Sequence, residues 1–374
     1  MPLRVAILKE TRPHERRVAM VPSVCDKLVK LGTEVYMQTG AGESAGLPDS
    51  SFGKVTFMAD PQRLVAQADV VLSVEAPAAS VAERMKEGAI LVSFIYEYRE
   101  PELVRLLAER KVTCFAMERV PRLSRAQAVD ALSGQASLAG YCGALLGATH
   151  LARVMPRMTT AAGLLRPAQV LVIGLGVAGL QAVATAHRLG ATVEGYDVRP
   201  ETKEQAASLG AKFIDTGVDA RGEAGYAREL TTQERERVAG VLTRHIRQAD
   251  IVITTAAIPG RASPKLISKA QVEGMRVGAV IVDLAADGGG NCEYTKPGET
   301  VSVGPVTIVA PMSVPSLVAE HASELYAKNA FNLLELVIRG GEINPDWEDE
   351  ILAGTVLTRG ATIVTEQSKV AEHA

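Results

Sequence analysis

The run Val170-Leu171-Val172-Ile173-Gly174-Leu175-Gly176-Val177-Ala178-Gly179 carries the spacing G-x-G-x-x-G. Among 33 glycines such a match means little by itself. Its setting gives it meaning. An unbroken apolar strand precedes it and an Ala/Leu-rich helix follows, as a buried βαβ unit requires. There Gly174 makes the tight turn, Gly176 lets the backbone approach a pyrophosphate, and Gly179 lets the helix pack on the strand. The start of the helix, with Val177 and Ala178, offers unpaired N–H groups and a positive dipole end to the phosphates. The next strand runs out at Asp197, eighteen residues beyond Gly179. A carboxylate there accepts from a ribose 2′-hydroxyl and repels a 2′-phosphate, which predicts NAD(H) as cofactor rather than NADP(H). Val198 and Arg199 complete the tip. Arg199 softens the preference, and Asp197 at the strand end outweighs it. Farther on, Ala249 to Ala256 reads as the fourth strand of the same domain. Thr255 and Ala256 then line the nucleotide pocket, or are an ordinary strand end.

These residues need elements to hold them. From Gln169 onward, apolar strands at 169–173, 192–196, 211–214, 251–255, 280–283 and 307–309 alternate with helical stretches, the first at 179–189. The N-terminal third has the same rhythm, with strands at 4–8, 34–37, 55–58, 70–74, 89–94 and 113–117 and helices at 23–31 and 101–110. Such alternation predicts an α/β chain of two doubly wound, Rossmann-like domains. Two long helices, near 134–154 and 316–338, read as struts joining the domains, and a hairpin over 355–364 turns at Arg359-Gly360. The expected division is 1–135 with 318–374 as a discontinuous first domain and 136–317 as the NAD(H)-binding domain, with a cleft between them. The charged stretch 223–247 reads as a solvated loop and helix.

Composition narrows the class. The 374 residues are 47% hydrophobic and 22% charged, with a formal net charge of −3, as expected of a globular chain with a sizeable core in each domain. No basic run marks a nucleic-acid partner. Cys25, Cys114, Cys142 and Cys292 form no CxxC pair, which argues against a zinc site or disulfide framework, predicts no metal, and fits a reducing cytosol. The N-terminus lacks an apolar export core. Residues 131–152 carry no Asp, Glu, Lys or Arg, close to the length of a spanning helix. Ser133, Gln135, Ser137, His150 and four glycines make that stretch too polar and too small-rich, so a buried interdomain helix is expected.

Just before it lies Pro121-Arg122-Leu123-Ser124-Arg125-Ala126-Gln127-Ala128-Val129-Asp130-Ala131-Leu132-Ser133. Read alone, this is a polar surface loop. The chain as a whole, however, resembles the NAD(H)-binding alpha subunit (domain I) of proton-translocating NAD(P) transhydrogenase, in the alanine dehydrogenase/transhydrogenase superfamily. Lys9-Glu10-Thr11, Arg17-Val18-Ala19, Pro22, Gly40-Ala41-Gly42, Asp283-Leu284-Ala285 and Gly289-Gly290 are common to both branches. The loop resembles the Arg-Gln-Asp loop of the transhydrogenases. The resemblance implies that Arg122, Gln127, Asp130 and Ser133 bind the nicotinamide half, with Gln127, Asp130 and Arg122 as the catalytic group. It also makes Gly225 and Tyr226 the tip of a mobile loop that folds over bound nucleotide.

An alanine dehydrogenase is expected to hold pyruvate with a lysine and a histidine, where this chain has Glu75 and Tyr96. Its aspartate and arginine survive as Asp287 and Arg17. Glu75 would repel an anionic 2-oxo acid, and Tyr96 is a poor acid near neutral pH. Many transhydrogenases keep a lysine and a histidine near those points, so the departure assigns neither residue a role. The resemblance therefore implies a subunit that presents NADH for direct hydride transfer to NADP⁺. The implied partners are an NADP(H)-binding beta subunit and a membrane-spanning subunit. The implied assembly is a homodimer held peripherally on the cytoplasmic face of a bacterial membrane. The alternative is an NAD-dependent, alanine-type amino-acid dehydrogenase; a non-catalytic NAD-sensing module is a further rival.

Overall fold

The computed structural model describes residues 2–220, 228, 230–256 and 262–364. These divide into two compact units, one built from the chain up to Gln135 and again from Ser316, the other from Ala136–Pro315.

The first unit is built on an eight-stranded sheet. Its order is Val55–Met58, Glu34–Gln38, Arg4–Ile7, Val70–Glu75, Ile90–Phe94, Thr113–Ala116, Val356–Arg359 and Thr362–Ile363. The first six are parallel; Val356–Arg359 joins antiparallel and forms the expected terminal hairpin. Both faces are covered. Val5 and Ile7 point into one core cluster, and Ala6 and Leu8 into another. A parallel strand buried on two sides is apolar at nearly every position, so the central strands read as near-continuous hydrophobic runs, and the buried Ser73 and Ser93 satisfy each other by a hydrogen bond at 3.0 Å.

The second unit repeats the plan with seven strands, ordered Ala211–Phe213, Thr192–Tyr196, Gln169–Ile173, Ile251–Thr254, Val280–Asp283, Val306–Val309 and Thr300–Val303. All pairings are parallel except the last, where Thr300–Val303 runs antiparallel to Val306–Val309. In both sheets the chain leaves from a central strand in one direction and later returns to its other side. That reversal is the switch point at which doubly wound sheets bind ligands.

Sequence periodicity misses three short antiparallel elements: Thr300–Val303, the hairpin Met158–Thr160 with Gly163–Leu165, and the hairpin Ile338–Arg339 with Glu342–Ile343. All three are two to four residues long, too short to show a period. The helix expected over 316–338 begins later, as Ala319–Val337, after a 3₁₀ turn over Val314–Val318.

The uncharged stretch forms one helix, Ala131–His150. No helix among the described residues is long and apolar enough to cross a membrane. Its glycines have another cause. A Cβ on Gly140 would collide with the carbonyl of Ala178, one on Gly143 would sit 2.7 Å from a Leu284 methyl, and one on Gly147 would sit 2.8 Å from Ile251. The small face brings this helix into backbone-close packing within the second unit.

Candidate dinucleotide-binding site

The site grows from the switch point of the second sheet. Gln169–Ile173 lies between Thr192–Tyr196 and Ile251–Thr254, so its carboxyl end opens where the strand order reverses. There Gly174 turns the chain at φ +95°, a left-handed conformation that favours glycine. A Cβ on it would also sit 2.7 Å from the Thr255 hydroxyl. Gly176 precedes the helix Val177–Arg188 with φ −75° and ψ −166°, extended backbone open to any residue. The reason for glycine there is space. A Cβ on Gly176 would meet nothing nearer than Arg199 Nη2 at 4.0 Å, so the turn presents a bare face. Gly179 serves packing, since a Cβ there would collide with the Gly174 carbonyl. Val177 is 45% exposed, so the first turn of the helix is reachable from solvent. An open glycine face beside free helix N–H groups fits a pyrophosphate.

Asp197 lies just past Thr192–Tyr196 and is nearly buried. Its Oδ2 accepts from the Leu175 amide at 2.7 Å and from Arg199 Nη2 at 2.9 Å. Its Oδ1 accepts from the Arg199 amide and from Arg199 Nε, both at 2.9 Å. The acid at the strand tip is thus tied to the glycine turn and gripped by the cation two residues on. Val198 lends its carbonyl to the Ala220 amide.

Thr255 and Ala256 close the other side of the switch point. The Thr255 hydroxyl donates to the Gly174 carbonyl at 2.9 Å, and the Thr255 amide to Ile173 at 3.0 Å. Ala256 is held by Asn291, which accepts from its amide at 3.0 Å and donates to its carbonyl and that of Pro264, both at 2.8 Å. Asn291 is fully buried, and its amide donates to Asp283. The Asp283 carboxylate also takes the amides of Ala285 and Cys292 and the hydroxyls of Thr254 and Thr295. Nothing in the sequence assigns Asn291 a role, and Asp283 has none there beyond its place in a shared motif. The one signal in the sequence is the glycine run Gly288-Gly289-Gly290 directly before Asn291.

In the first unit, Arg122 and Gln127 are exposed on the loop before Ala131–His150. Asp130 accepts from the Ser133 amide at 2.9 Å and from its hydroxyl at 2.5 Å, so the two residues cap the start of that helix together. The loop is pinned at Ala128, whose carbonyl takes the side-chain amides of Asn329 and Asn332 at 2.8 Å, and at Arg125, which pairs with Asp349. Gly225 and Tyr226 lie outside the described residues.

The first sheet has its own switch point, between Arg4–Ile7 and Val70–Glu75, and a buried cation sits beside it. Arg17 Nε donates to Glu15 at 2.8 Å, Nη1 to Gln135 at 3.0 Å and Nη2 to Glu75 at 3.1 Å. Burial pushes the Glu15 carboxyl up, but the Arg17 guanidinium overrides it and leaves Glu15 below the usual carboxylate range. Removal from water, with Glu75 and Glu118 adding to it, holds the Tyr96 phenol well above its ordinary value. Tyr96 therefore stays protonated and has little acid strength. All four cysteines are buried free thiols, and no cluster of metal-ligating side chains occurs among the described residues.

A glycine turn at the switch point of a doubly wound sheet, with an acid at the tip of the next strand, defines an α/β protein of the dinucleotide-binding class. The chain belongs to the alanine dehydrogenase/PNT family, whose N-terminal domain matches residues 6–139 and whose C-terminal domain matches residues 143–366. It is 44% identical to an NAD(P) transhydrogenase subunit alpha polypeptide of Rhodospirillum rubrum, covering 97% of this chain and 98% of that one. It is 40% identical to NAD(P) transhydrogenase subunit alpha of Haemophilus influenzae, covering 98% of this chain and 73% of the relative. A solved transhydrogenase structure from Sinorhizobium meliloti is 38% identical with a TM-score of 0.85, covering 97% of this chain and 99% of that one. An L-alanine dehydrogenase structure, 22% identical with a TM-score of 0.79 over the full length of both chains, shows the same fold.

Proposed function

We propose that this chain is the NAD(H)-binding subunit of a proton-translocating transhydrogenase, presenting NADH for direct hydride transfer to NADP⁺ on a separate polypeptide. The observation that carries this reading is a contrast between the two switch points. In the second unit the glycine turn is bare and flanked by Asp197. In the first unit the Arg17 guanidinium is already engaged by Glu15, Gln135 and Glu75. A dehydrogenase acting on a 2-oxo acid needs an available cation for the substrate carboxylate and a group near neutral pKa for the proton. Glu75 and Tyr96 supply neither. Hydride transfer between two nicotinamides moves no O–H or N–H proton, so a chain without acid–base machinery suffices.

When bound, NADH supplies the hydride. The chain's task is to bind and orient it. The turn Gly174 to Gly179 takes the pyrophosphate, with Val177 and Ala178 donating from the helix start. Asp197 takes the adenosine ribose hydroxyls, and Thr255 and Ala256 line the pocket at the end of Ile251–Thr254. Arg122, Gln127, Asp130 and Ser133 contribute to nucleotide binding, with Gln127 acting chiefly in the transfer step; Gly225 and Tyr226 are further candidate binding residues. The implied partners are an NADP(H)-binding beta subunit and a membrane-spanning subunit, and the implied form is a homodimer on the cytoplasmic face of the membrane.

The test is reconstitution. Mixed with an NADP(H)-binding partner polypeptide, the chain should support hydride transfer from NADH to an NADP⁺ analogue. Given NADH, pyruvate and ammonia without a partner, it should be inert. NADH oxidation that depends on pyruvate in homogeneous protein overturns the reading in favour of a dehydrogenase.

A further inference from the structure

We propose that Arg199 is an exchange latch: when a dinucleotide enters, its guanidinium leaves the Asp197 carboxylate for the pyrophosphate, and Asp197 passes to the ribose hydroxyls. The proposal rests on the reading that the turn Gly174 to Gly179 binds a dinucleotide.

It starts from the bonds around Asp197. An ionised carboxylate offers about four acceptor positions. At Asp197 four are met by the amides of Leu175 and Arg199 and by Nε and Nη2 of Arg199. The two amides belong to backbone fixed by the turn and the strand tip. The two side-chain bonds are the ones that can be exchanged. A ribose hydroxyl that donates to Asp197 must therefore displace the guanidinium.

The displaced group has a short way to go. Arg199 Nη2 already stands 4.0 Å from where a Gly176 side chain would begin, on the face of the turn left bare by the missing Cβ. The Arg199 side chain is 18% exposed, so it borders solvent at the strand tip. A guanidinium fork matches phosphate oxygens as well as it matches a carboxylate, so one charge-assisted pair replaces another. For a full dinucleotide the exchange is balanced and the ribose contact is gained. Adenosine alone must break the Asp197–Arg199 pair and offers the cation nothing in return. The latch thus couples recognition of the ribose to the presence of a 5′-diphosphate.

The latch makes a crossed prediction. Calorimetric titration of the full chain with NADH, 5′-ADP, adenosine and 2′-AMP is compared between wild type, Arg199→Gln and Arg199→Lys. Arg199→Gln should weaken NADH and 5′-ADP by about tenfold, close to 1.4 kcal/mol, and should tighten adenosine several-fold. Arg199→Lys keeps the charge and loses the fork, so both changes should have the same sign and be smaller. Three outcomes overturn the latch. Adenosine weakens together with 5′-ADP, so the pair is plain scaffold. The affinity for 5′-ADP is unchanged, so the guanidinium never reaches the diphosphate. The loss is confined to 2′-AMP, so the cation reads a 2′-phosphate instead. Thermal melting accompanies each titration, and if Arg199→Gln melts early, the signs measured with Arg199→Lys decide. Failure of wild type to bind NADH would strike the dinucleotide reading itself. Normal NADH binding with no crossed response strikes the latch alone.

Discussion

At the scale of single residues, Gly176 differs from Gly174, whose left-handed backbone and closeness to Thr255 leave no room for a side chain. Gly176 has ordinary extended backbone and an open face. Gly176→Val should therefore fold with an unchanged melting temperature and lose NADH binding, because the branched side chain takes the place of the pyrophosphate; normal NADH titration by this variant would sink the assignment of the turn. Asp197→Ala removes a charged acceptor and should lower NADH affinity by about 1.5–3 kcal/mol. It also removes the carboxylate that would repel a 2′-phosphate, so the preference for NADH over NADPH should narrow; calorimetry with both nucleotides reads this. Glu10 offers a test by pH. Its carboxyl accepts from the Val74 and Glu75 amides at 2.6 and 3.2 Å, yet burial, with the nearby Glu15 and Glu75 adding to it, pushes it up to about 8 from 4.5. Between those values the folded chain keeps a proton that the unfolded chain has lost, so Glu10 makes stability fall as pH rises through that window. Thermal melting at pH values across it should show that slope, and Glu10→Gln, which cannot titrate, should flatten it.

At the scale of elements, the helix Ala131–His150 explains a feature that its composition leaves ambiguous. Its glycines recur on one face because Ala178, Leu284 and Ile251 press against it within the second unit. Gly140 matters most for function, since its neighbour Ala178 is in the first turn of the helix expected to hold the phosphates. Gly140→Val must push the two helices apart. Overpacking of this kind costs about 1–3 kcal/mol or more, so the variant should melt earlier and bind NADH more weakly, whereas Gly240→Ala, in the helix Thr232–Gln248 where a Cβ meets nothing within 4 Å, should leave NADH affinity intact. Retained melting temperature and affinity in Gly140→Val would show that the close approach has no bearing on the nucleotide turn.

At the scale of the whole molecule, the family is shared by dehydrogenases and transhydrogenases, and the choice between them falls on whether the chain acts alone. The engaged Arg17 and the protonated Tyr96 weigh against 2-oxo-acid chemistry at the first unit's switch point. The test of partnership lies in Gln127, exposed on a loop that Asn329, Asn332 and Asp349 hold in place. Gln127→Asn should slow single-turnover hydride transfer to an NADP⁺-loaded partner much more than it weakens NADH binding, the mark of a group whose bonds form chiefly in the transfer step. Proportionate loss of rate and affinity would reduce the loop to an ordinary binding element.

The sequence by itself determined the parallel strands of the two sheets, because a strand buried on both faces is apolar at nearly every position, as Val170 to Ile173 and Val70 to Val74 are. It also determined the turn at Gly174, where a positive φ and a close approach by Thr255 leave room for glycine alone. Tertiary structure decided what spacing cannot encode. The strand order of each sheet, and so the place of its switch point, depends on pairings between strands far apart in the chain. Asn291 is separated from Ala256 by thirty-five positions, and its role exists only once Asp283 fixes the loop that carries it. Asp130 and Ser133 look like ligands in sequence and in the fold also cap a helix, because the first turn has N–H groups to satisfy whatever else the loop does. In the sequence alone, Arg199 reads as a counterweight to Asp197. The fold made the two a single hydrogen-bonded pair, because a guanidinium two residues beyond a carboxylate at a strand tip can fold back and grip both oxygens.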